Sequence, residues 1–414
     1  MSAPPVTLKI QRLGAQGDGI AEHEGRQVFV PLALPGETVE AEIEGTRARV
    51  IRIVEAAPDR APARCSHYGE CGGCTLQHLP PDLYRSLKRD LVTTALSFEG
   101  IEATVDDVVV IPPATRRRAV FAAHRQGKQI IVGFHGKRSH HIVGLRDCAV
   151  LTPGLLALVP RLAQLAAIAA PPKDALTITA TETLTGFDIA LTGAPKTLSA
   201  DARAQLVQTA GALGLARLSL NGSLEMERVA PQLRVGNADI RPGPGGFLQA
   251  TRESEAAMLS LVQQAVGDAR RVVDLFSGAG TFSLPLASTA TVHAVESDEL
   301  ALASLQLMAR KTSGLKPVTT EKRDLFRRPL VRTELKRFDA AVIDPPRAGA
   351  EAQTRELALS DVKRVAMVSC NAATFSRDLT IMQASGWRVT RITPVDQFLW
   401  SAHIEIVAAL ERRS

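Results

Sequence analysis

The two ends of the chain differ in their patterns of apolar and polar residues. In residues 1–57, apolar and polar positions alternate in short runs that are separated by glycines and by the Pro35-Gly36 pair. This alternation is typical of half-buried strands. The strands that it predicts are 6–10, 27–31, 38–43 and 48–53. Several short strands in so few residues predict a small β-barrel.

From residue 246 onward, strand-like runs alternate with helix-like runs. The predicted strands are 271–276, 291–296, 317–324, 338–344, 364–370, 387–395 and 403–410. Helical patterns separate the first six, which predicts a parallel, doubly wound α/β sheet. The connection between the last two is too short for a helical crossover, so the seventh strand should run antiparallel to the sixth. With a mixed α/β region between the two ends, we predict domains at 1–57, 58–245 and 246–414.

The composition narrows the class of protein. The chain has 414 residues, 45% of them hydrophobic, and a formal net charge of +6, which suits more than one domain and a polyanionic partner. The longest apolar stretch, 155–170, is interrupted by Pro160 and Arg161, and residues 1–12 lack the apolar core of a signal peptide. We therefore expect a cytoplasmic protein without a membrane segment. Its five cysteines should then be metal ligands or catalytic groups, and not disulfides.

A glycine-rich segment, Asp274-Leu-Phe-Ser-Gly-Ala-Gly-Thr-Phe282, follows the first strand of the C-terminal sheet. It differs from the dinucleotide-binding pattern G-x-G-x-x-G because residue 283 is serine. Glu296 ends the second strand and Asp324 ends the third, so both carboxylates should lie at the edge where open α/β sheets bind ligands. Because a carboxylate there can accept hydrogen bonds from a ribose, this edge predicts a cofactor that contains a nucleoside.

Three further polar groups should reach the same edge. Asp344 ends the fourth strand, Cys370 ends the fifth, and Glu405 begins the antiparallel seventh. A thiol, a carboxylate and a cofactor pocket at one rim predict a nucleophile and a general base. We expect a helix that begins near Thr374 to lower the pKa of the Cys370 thiol through its N-terminal dipole.

The other cysteines are Cys65, Cys71 and Cys74, followed far along the chain by Cys148. Four thiolates can hold zinc or a [4Fe–4S] cluster, and their spacing leaves both open. A basic stretch precedes Cys148 and indicates either a solvated charged face or contacts with nucleic-acid phosphates. Its members are Arg116, Arg117, Arg118, Arg125, Lys128, Lys137, Arg138, His140 and His141.

Together these segments resemble the RNA uracil-5-methyltransferase family, and within it the bacterial enzymes of large-subunit ribosomal RNA that carry an iron–sulfur cluster. The resemblance covers nearly all of the chain. It is carried by residues 1–57, which are similar to a TRAM domain, by the four cysteines, and by the motifs Phe247-Leu-Gln249, Asp274-Leu-Phe-Ser-Gly-Ala-Gly280, Asp344-Pro-Pro-Arg347, Ser369-Cys-Asn371 and His403-Ile-Glu405. It implies a class I methyltransferase fold with a Rossmann-like seven-stranded sheet. An OB-like TRAM barrel and a central mixed α/β iron–sulfur domain would precede it.

The resemblance also implies a reaction, which is methyl transfer from S-adenosylmethionine to carbon 5 of a uridine in 23S ribosomal RNA. Cys370 would add to carbon 6 of the uracil, and Glu405 would remove the proton from carbon 5. The residues implied to line the cofactor and base pocket are Gln249, Phe276, Thr281, Glu296, Asp324 and Asp344. The implied ligands of a [4Fe–4S] cluster are Cys65, Cys71, Cys74 and Cys148. Phe247 or Trp400 is expected to help hold a flipped base, and we expect a monomer.

Other readings stay open at this point. The same chemistry on transfer RNA is one, although transfer-RNA members of the family generally lack both the TRAM domain and the cluster. An iron–sulfur RNA-binding or chaperone protein with an inactive methyltransferase domain is another. Amino-methyltransferases also use Asp-Pro-Pro, but they typically carry an aromatic residue where this chain has Arg347. The chain departs from the family's usual residues at Thr251, Ala372 and Phe398-Leu-Trp-Ser401, beside the expected base pocket.

Overall fold

The computed structural model describes residues 4–127 and 129–412. The N-terminal strands are β1 (Val6–Lys9), β2 (Arg12–Leu13), β3 (Gly19–His23), β4 (Arg26–Val30), β5 (Thr38–Glu44) and β6 (Arg47–Glu55). They form a sheet in the order β1-β5-β6-β4-β3-β2 around buried Leu8, Val30 and Val39. The four strands that the alternation predicts are present. It does not predict β2 and β3, which are short and lie among glycines that favour a turn instead.

The central part of the chain forms a second sheet with helices packed against it. Its elements are α1 (Pro81–Phe98), β7 (Val109–Val110), β8 (Arg118–Gln126), β9 (Gln129–His135), β10 (Ile142–Gly144), α2 (Pro153–Ala169), β11 (Leu176–Thr183), β12 (Gly186–Thr192), α3 (Ala200–Ala212), β13 (Arg217–Leu220), β14 (Ser223–Glu227), β15 (Leu233–Val235) and β16 (Ala238–Ile240). The sheet order is β10-β9-β8-β11-β12-β13-β14, and β15 pairs with β16. The long apolar stretch forms α2, whose Leu155, Leu158 and Leu162 are buried against this sheet.

The last part of the chain forms the α/β sheet that the sequence predicts. Its elements are α4 (Arg252–Val266), β17 (Arg271–Leu275), α5 (Ser283–Leu286), β18 (Thr291–Glu296), α6 (Glu299–Lys311), β19 (Val318–Lys322), α7 (Arg332–Leu335), β20 (Ala340–Ile343), α8 (Glu351–Ala358), β21 (Arg364–Ser369), α9 (Ala372–Ala384), β22 (Trp387–Asp396) and β23 (Glu405–Arg412). The order is β19-β18-β17-β20-β21-β23-β22-β7. Strands β17 to β21 are parallel, whereas β23 is antiparallel to both neighbours. The expected antiparallel final strand is confirmed.

Two central elements join this C-terminal sheet. Strand β7 extends its edge by pairing in parallel with β22, where Val109 faces Val395. Val92 and Leu96 of α1 are buried in the same core as Leu379 of α9. The domain boundaries at residues 57 and 245 stay a prediction, but the chain first enters the C-terminal sheet well before residue 245. In the described part of the chain, no helix is both long enough and apolar enough to cross a membrane.

Candidate active site

The topology brings a thiol and two carboxylates to one rim of the C-terminal sheet. Asp344 follows β20 and Cys370 follows β21, while Glu405 begins β23. Because β23 runs antiparallel to β21, Ser369 pairs with Ile406, which places Cys370 beside the start of β23. The three residues therefore lie where the sequence places them. Their chemical roles stay predictions.

Burial and neighbouring acids raise the pKa of all three groups at this rim. Burial raises the pKa of the Glu405 carboxyl to about 8, and the charge of Asp344 adds to the shift. Burial raises the pKa of Asp344 to about 7, with a further contribution from Asp274. The Cys370 thiol is raised to a pKa of about 11 by burial, then by Glu405 and Asp344, while the cation of Arg347 opposes the shift. This environment disfavours negative charge until a substrate or cofactor enters.

The expected lowering of the Cys370 pKa is wrong. A helix does follow it, since α9 begins at Ala372 and the side chain of Asn371 caps it by accepting from the Ala373 backbone. However, the thiol is half-buried and stands between two carboxylates. Desolvation and like charge outweigh the field of the helix terminus, which falls off within one turn.

Gln397 is a site residue that no motif in the sequence marks. It follows β22, and its Nε2 donates to Glu405 Oε1 at 3.2 Å. Its Oε1 accepts from the Ala250 backbone at 3.0 Å and from Ser254 Oγ at 2.7 Å. Gln397 and Glu405 are both buried. A polar residue directly after a buried strand is the one signal in the sequence that could have found it.

The glycine-rich turn contacts the carboxylate of Glu296 at the end of β18. Gly278 donates its backbone N–H to Glu296 Oε2 at 3.0 Å, and Ser297 and Asp298 donate theirs to Oε1 at 2.6 and 2.9 Å. Gly280 has a φ of +97°, and an added Cβ would lie 3.0 Å from Leu305 Cγ. The turn therefore requires glycine at 280, and it fixes the Glu296 carboxylate at the end of β18.

Three buried polar atoms in the segments predicted to bind the cofactor lack a partner within the described residues. They are Gln249 Oε1, Asp274 Oδ1 and Ser277 Oγ. Asp274 is fully buried, accepts one bond from Ser283 Oγ at 2.6 Å, and has its pKa raised to about 7 by burial. Buried polar groups are normally hydrogen-bonded, so a group of unsatisfied atoms marks a place that a polar ligand completes.

The remaining predicted cofactor residues lie around the same turn. Phe276 has a φ of 63°, and its ring lies 5.4 Å from that of Phe326 at an angle of 56°. Asp324 accepts the Phe326 backbone N–H at 2.9 Å, which places this carboxylate against the backbone of Phe326. Thr281 is partly exposed directly after Gly280. A flat apolar face with flanking acceptors suits a nucleoside.

The four other cysteines line one cavity of about 1640 Å³, which also reaches Cys370. Burial raises the pKa of Cys65 to about 11 and that of Cys74 to about 12, and Cys148 adds to both shifts, as it also does for Cys71. All are free thiols in the structure. Among the described residues, no three His, Cys, Asp or Glu side chains are close enough together to hold one metal ion.

The basic stretch is largely engaged within the protein. Arg117 is buried and donates to both oxygens of Glu255 at 2.9 and 3.0 Å. Arg116 lies over the Phe398 ring, with 5.8 Å from its Cζ to the ring centroid. Lys137 lies 3.5 Å from a carboxylate oxygen of Asp18, on the N-terminal sheet side of the cavity. Arg125, Arg138, His140 and His141 are exposed, and Lys128 lies outside the described residues. The expectation of a phosphate-binding run is therefore wrong for Arg117, because an ion pair buries it.

The loop between β22 and β23, residues 397–404, is called the base loop below because it leads into Glu405. Lys88 of α1 is fully buried, and its Nζ donates to Asp396 Oδ1 at 2.6 Å and to the His403 carbonyl at 2.5 Å. The Trp400 carbonyl accepts backbone N–H groups from Thr75 at 2.8 Å and Leu76 at 2.9 Å, directly after Cys74. Trp400 is partly buried, whereas Phe247 is 75% exposed.

Comparison with known proteins shows which family this chain belongs to. Residues 221–413 match the profile of the tRNA (Uracil-5-)-methyltransferase family, and residues 6–52 match the TRAM domain. An uncharacterized RNA methyltransferase of Rhizobium meliloti is 47% identical over 98% of this chain and 99% of its own length. The 23S rRNA (uracil(1939)-C(5))-methyltransferase RlmD of Pseudomonas fluorescens is 33% identical over 98% of this chain and 93% of its own. The chain belongs to the RNA uracil-5-methyltransferase family.

A solved structure confirms the fold of this RNA methyltransferase. It is the Pyrococcus abyssi tRNA (uracil-54, C5)-methyltransferase in complex with S-adenosyl-L-homocysteine. The TM-score is 0.75 at 22% sequence identity, over 97% of this chain and 99% of that one. A class I methyltransferase sheet preceded by a TRAM domain is thus the architecture, as the sequence predicts.

Proposed function

We propose that this methyltransferase transfers a methyl group from S-adenosylmethionine to carbon 5 of a uridine in 23S ribosomal RNA, through a covalent adduct between Cys370 and carbon 6. The observation that carries the proposal is the rim on which Cys370 and Glu405 lie together, beside the unsatisfied atoms of Gln249 and Asp274. The choice of ribosomal RNA rests on the relative named as a 23S rRNA methyltransferase, and the TRAM match supports an RNA substrate.

In this mechanism, the thiolate of Cys370 forms a bond to carbon 6, and the electron pair of the 5,6 double bond moves towards carbon 5 and the carbonyl. When bound, S-adenosylmethionine would supply the methyl group to carbon 5 and leave as S-adenosylhomocysteine. Glu405 then takes the proton from carbon 5, the double bond re-forms, and Cys370 leaves as thiolate. A base whose pKa is about 8 is well matched to proton removal near neutral pH.

The proposed cofactor site uses the residues around the glycine-rich turn. Glu296 and Asp324 provide acceptors for the nucleoside, and Phe276 provides a flat apolar face. Gln249, Asp344 and Thr281 complete the proposed lining on the side of the target base. Gln249 Oε1 is buried without a partner in the described structure, so a donor on the ligand or base would satisfy it.

We further propose that Cys65, Cys71, Cys74 and Cys148 hold a [4Fe–4S] cluster with a structural role. The support is that the four thiols line one cavity, although they come from two separate parts of the chain. No step of methyl transfer needs an electron. We expect iron and sulfide in equal amounts in anaerobically purified protein and their loss in Cys74→Ser. Zinc without sulfide would contradict the proposal.

The first experiment uses tritium-methyl S-adenosylmethionine and unmodified 23S rRNA, with transfer RNA and wild-type protein in a parallel reaction. After digestion to nucleosides, we expect 5-methyluridine from ribosomal RNA with wild type and none with Cys370→Ala. Product from transfer RNA alone would move the proposal to that substrate. Methylated adenosine or cytidine would overturn it.

A second experiment tests the role of Glu405. Replacing it with glutamine removes the base but leaves the nucleophile, so we expect a protein–RNA adduct that survives denaturation. The double variant Cys370→Ala, Glu405→Gln should form none, because no thiol is available. An adduct in the double variant, or free turnover in Glu405→Gln, would contradict the assigned roles.

A further inference from the structure

Gln397 is the neutral side chain that contacts the proposed base. Glu405 is 4% exposed, and the charged or titratable groups around it are Asp344 and Arg347 after β20 and Cys370 after β21. Asp344 disfavours the carboxylate form and Arg347 favours it. Gln397 follows β22, which lies on the opposite side of β23 from β21, and donates to Glu405 Oε1 at 3.2 Å.

The orientation of the Gln397 amide follows from its other contacts. The Ala250 backbone N–H can only donate, and it lies 3.0 Å from Gln397. The atom facing Ala250 must therefore be the amide oxygen, and Nε2 must face Glu405. Ser254 Oγ also donates to this oxygen at 2.7 Å, and a flipped amide would lose the bond from Ala250 because two N–H groups would then face each other.

This orientation restricts the proton on Glu405. The amide NH₂ can only donate, so Glu405 Oε1 has to accept in every protonation state. Oε2 is then the oxygen that is available for a proton. Ala250 adjoins Gln249, so the same amide also connects the base to the segment that carries a predicted pocket residue.

We propose that Gln397 is a positioning residue that occupies Oε1 of Glu405 and thereby directs Oε2 towards the proton on carbon 5. This inference rests on the proposed function, because it assigns a role within that reaction. A donor on a carboxylate favours its charged form, so Gln397 also keeps the base ionised at lower pH than burial alone would allow.

The test compares Gln397→Met with Gln353→Met. Both glutamines are buried, but Gln353 of α8 bonds only the Leu330 backbone among the described residues and makes no bond to Glu405. For Gln397→Met we expect the pH midpoint of turnover to rise by about one unit and the covalent protein–RNA adduct to accumulate about tenfold. For Gln353→Met we expect the wild-type pH midpoint, whatever its effect on stability.

Two further measurements keep the outcomes distinct. If Gln397→Met does not fold, Ser254→Ala removes one donor to the amide oxygen and should shift the pH midpoint in the same direction by a smaller amount. A wild-type midpoint and no extra adduct in the folded variants would overturn the role of Gln397. Absence of 5-methyluridine with the wild-type protein, by contrast, would overturn the proposed function itself.

Discussion

At the scale of single residues, the rim is unusual because three acidic groups are held close together in a poorly solvated place. Glu405, Asp344 and Cys370 all have a raised pKa, and each is raised by burial first and by a neighbouring acid second. Arg347 is the cation that opposes this for Cys370 and Glu405. Burial and like charge therefore favour the protonated forms of Glu405 and Cys370 at neutral pH.

The pH dependence of the reaction follows from these shifts. The base form of Glu405 is lost as pH falls through about 8, and the thiolate of Cys370 is favoured only as pH rises towards about 11. We therefore predict that the rate of methyl transfer rises steadily between about pH 6.5 and 8.5. Initial rates at saturating RNA and cofactor provide the measurement. A rate that falls with increasing pH in this range would disprove the prediction.

Glycine at position 280 gives a second prediction. Gly280→Ala places a Cβ 3.0 Å from Leu305 Cγ at a φ of +97°, so we expect a loss of about 1–3 kcal/mol in unfolding free energy. Cofactor binding should weaken too, because the turn that fixes Glu296 would move. Urea denaturation and equilibrium dialysis measure the two effects.

Gly314→Ala is the matched control, because Gly314 has a φ of +80° but nothing within 4 Å of an added Cβ. It should lose stability through backbone strain alone and keep cofactor affinity. Equal loss of affinity in both variants would show that the close approach at Gly280 has no special role.

The sequence predicts that Cys370 and Glu405 lie at the rim. It does not predict the residues that hold this region in place, Gln397 and Lys88. Cys370 and Glu405 end or begin strands, and strand order alone brings such positions together. Gln397 and Lys88 carry no motif, and their partners are distant in sequence or belong to another part of the chain. Periodicity is a local signal, so it cannot show contacts of this kind.

At the scale of elements, α1 and the base loop form one unit. The ammonium of Lys88 and the carboxylate of Asp396 are both completely buried, and Tyr84 also hydrogen-bonds Asp396. The same ammonium reaches the His403 carbonyl, so it contacts both ends of the base loop. Breaking one partner of a buried ion pair leaves an uncompensated charge, whose cost is large.

Lys88→Met should therefore destabilise the protein by about 3–5 kcal/mol. It should also lower turnover more than cofactor binding, because the base loop leads directly into Glu405. Arg355→Met is the comparison, since Arg355 and Glu351 form an exposed pair on α8 that is worth about 0.2–1 kcal/mol. The midpoints of urea unfolding measure the stability of the two variants. Similar midpoints for the two variants would refute the role assigned to Lys88.

Most elements of the C-terminal sheet follow from the sequence, because buried parallel strands and amphipathic helices have strong periods. The attachment of α1 and β7 does not follow. Strand β7 has two residues, which is too short for any alternation to register, and α1 lies far from its partners along the chain. A strand as short as β7 forms because of the strand with which it pairs.

At the scale of the whole molecule, one cavity connects the N-terminal sheet, the four cysteines and Cys370. The cysteine segment also bonds the base loop directly, since Thr75 and Leu76 donate to the Trp400 carbonyl. The clustering of basic residues in the sequence, by contrast, does not show which of them are exposed. The run Arg116 to Arg118 suggested an external RNA-binding surface, whereas its central arginine pairs with Glu255 inside the protein.

This connection predicts that changes at the cysteines reach the base loop. In a Trp387→Phe background, Trp400 is the remaining tryptophan. We expect Cys74→Ser to shift its emission to longer wavelength and to weaken RNA binding, because the segment that bonds Trp400 loses its support. A substitution at an exposed serine of β14, Ser223→Ala, should change neither. Unaltered emission in Cys74→Ser would show that the cysteine segment does not influence the base loop.

The contact between Lys88 and Asp396 joins residues that are 308 positions apart. Contacts of such long range form late in folding, since the intervening chain must first become compact. The cofactor edge of the sheet, built from neighbouring strands and turns, has no such requirement. A refolding chain should therefore gain the ability to bind its methyl donor earlier than the ability to complete a turnover, and a delay between the two would record the docking of α1.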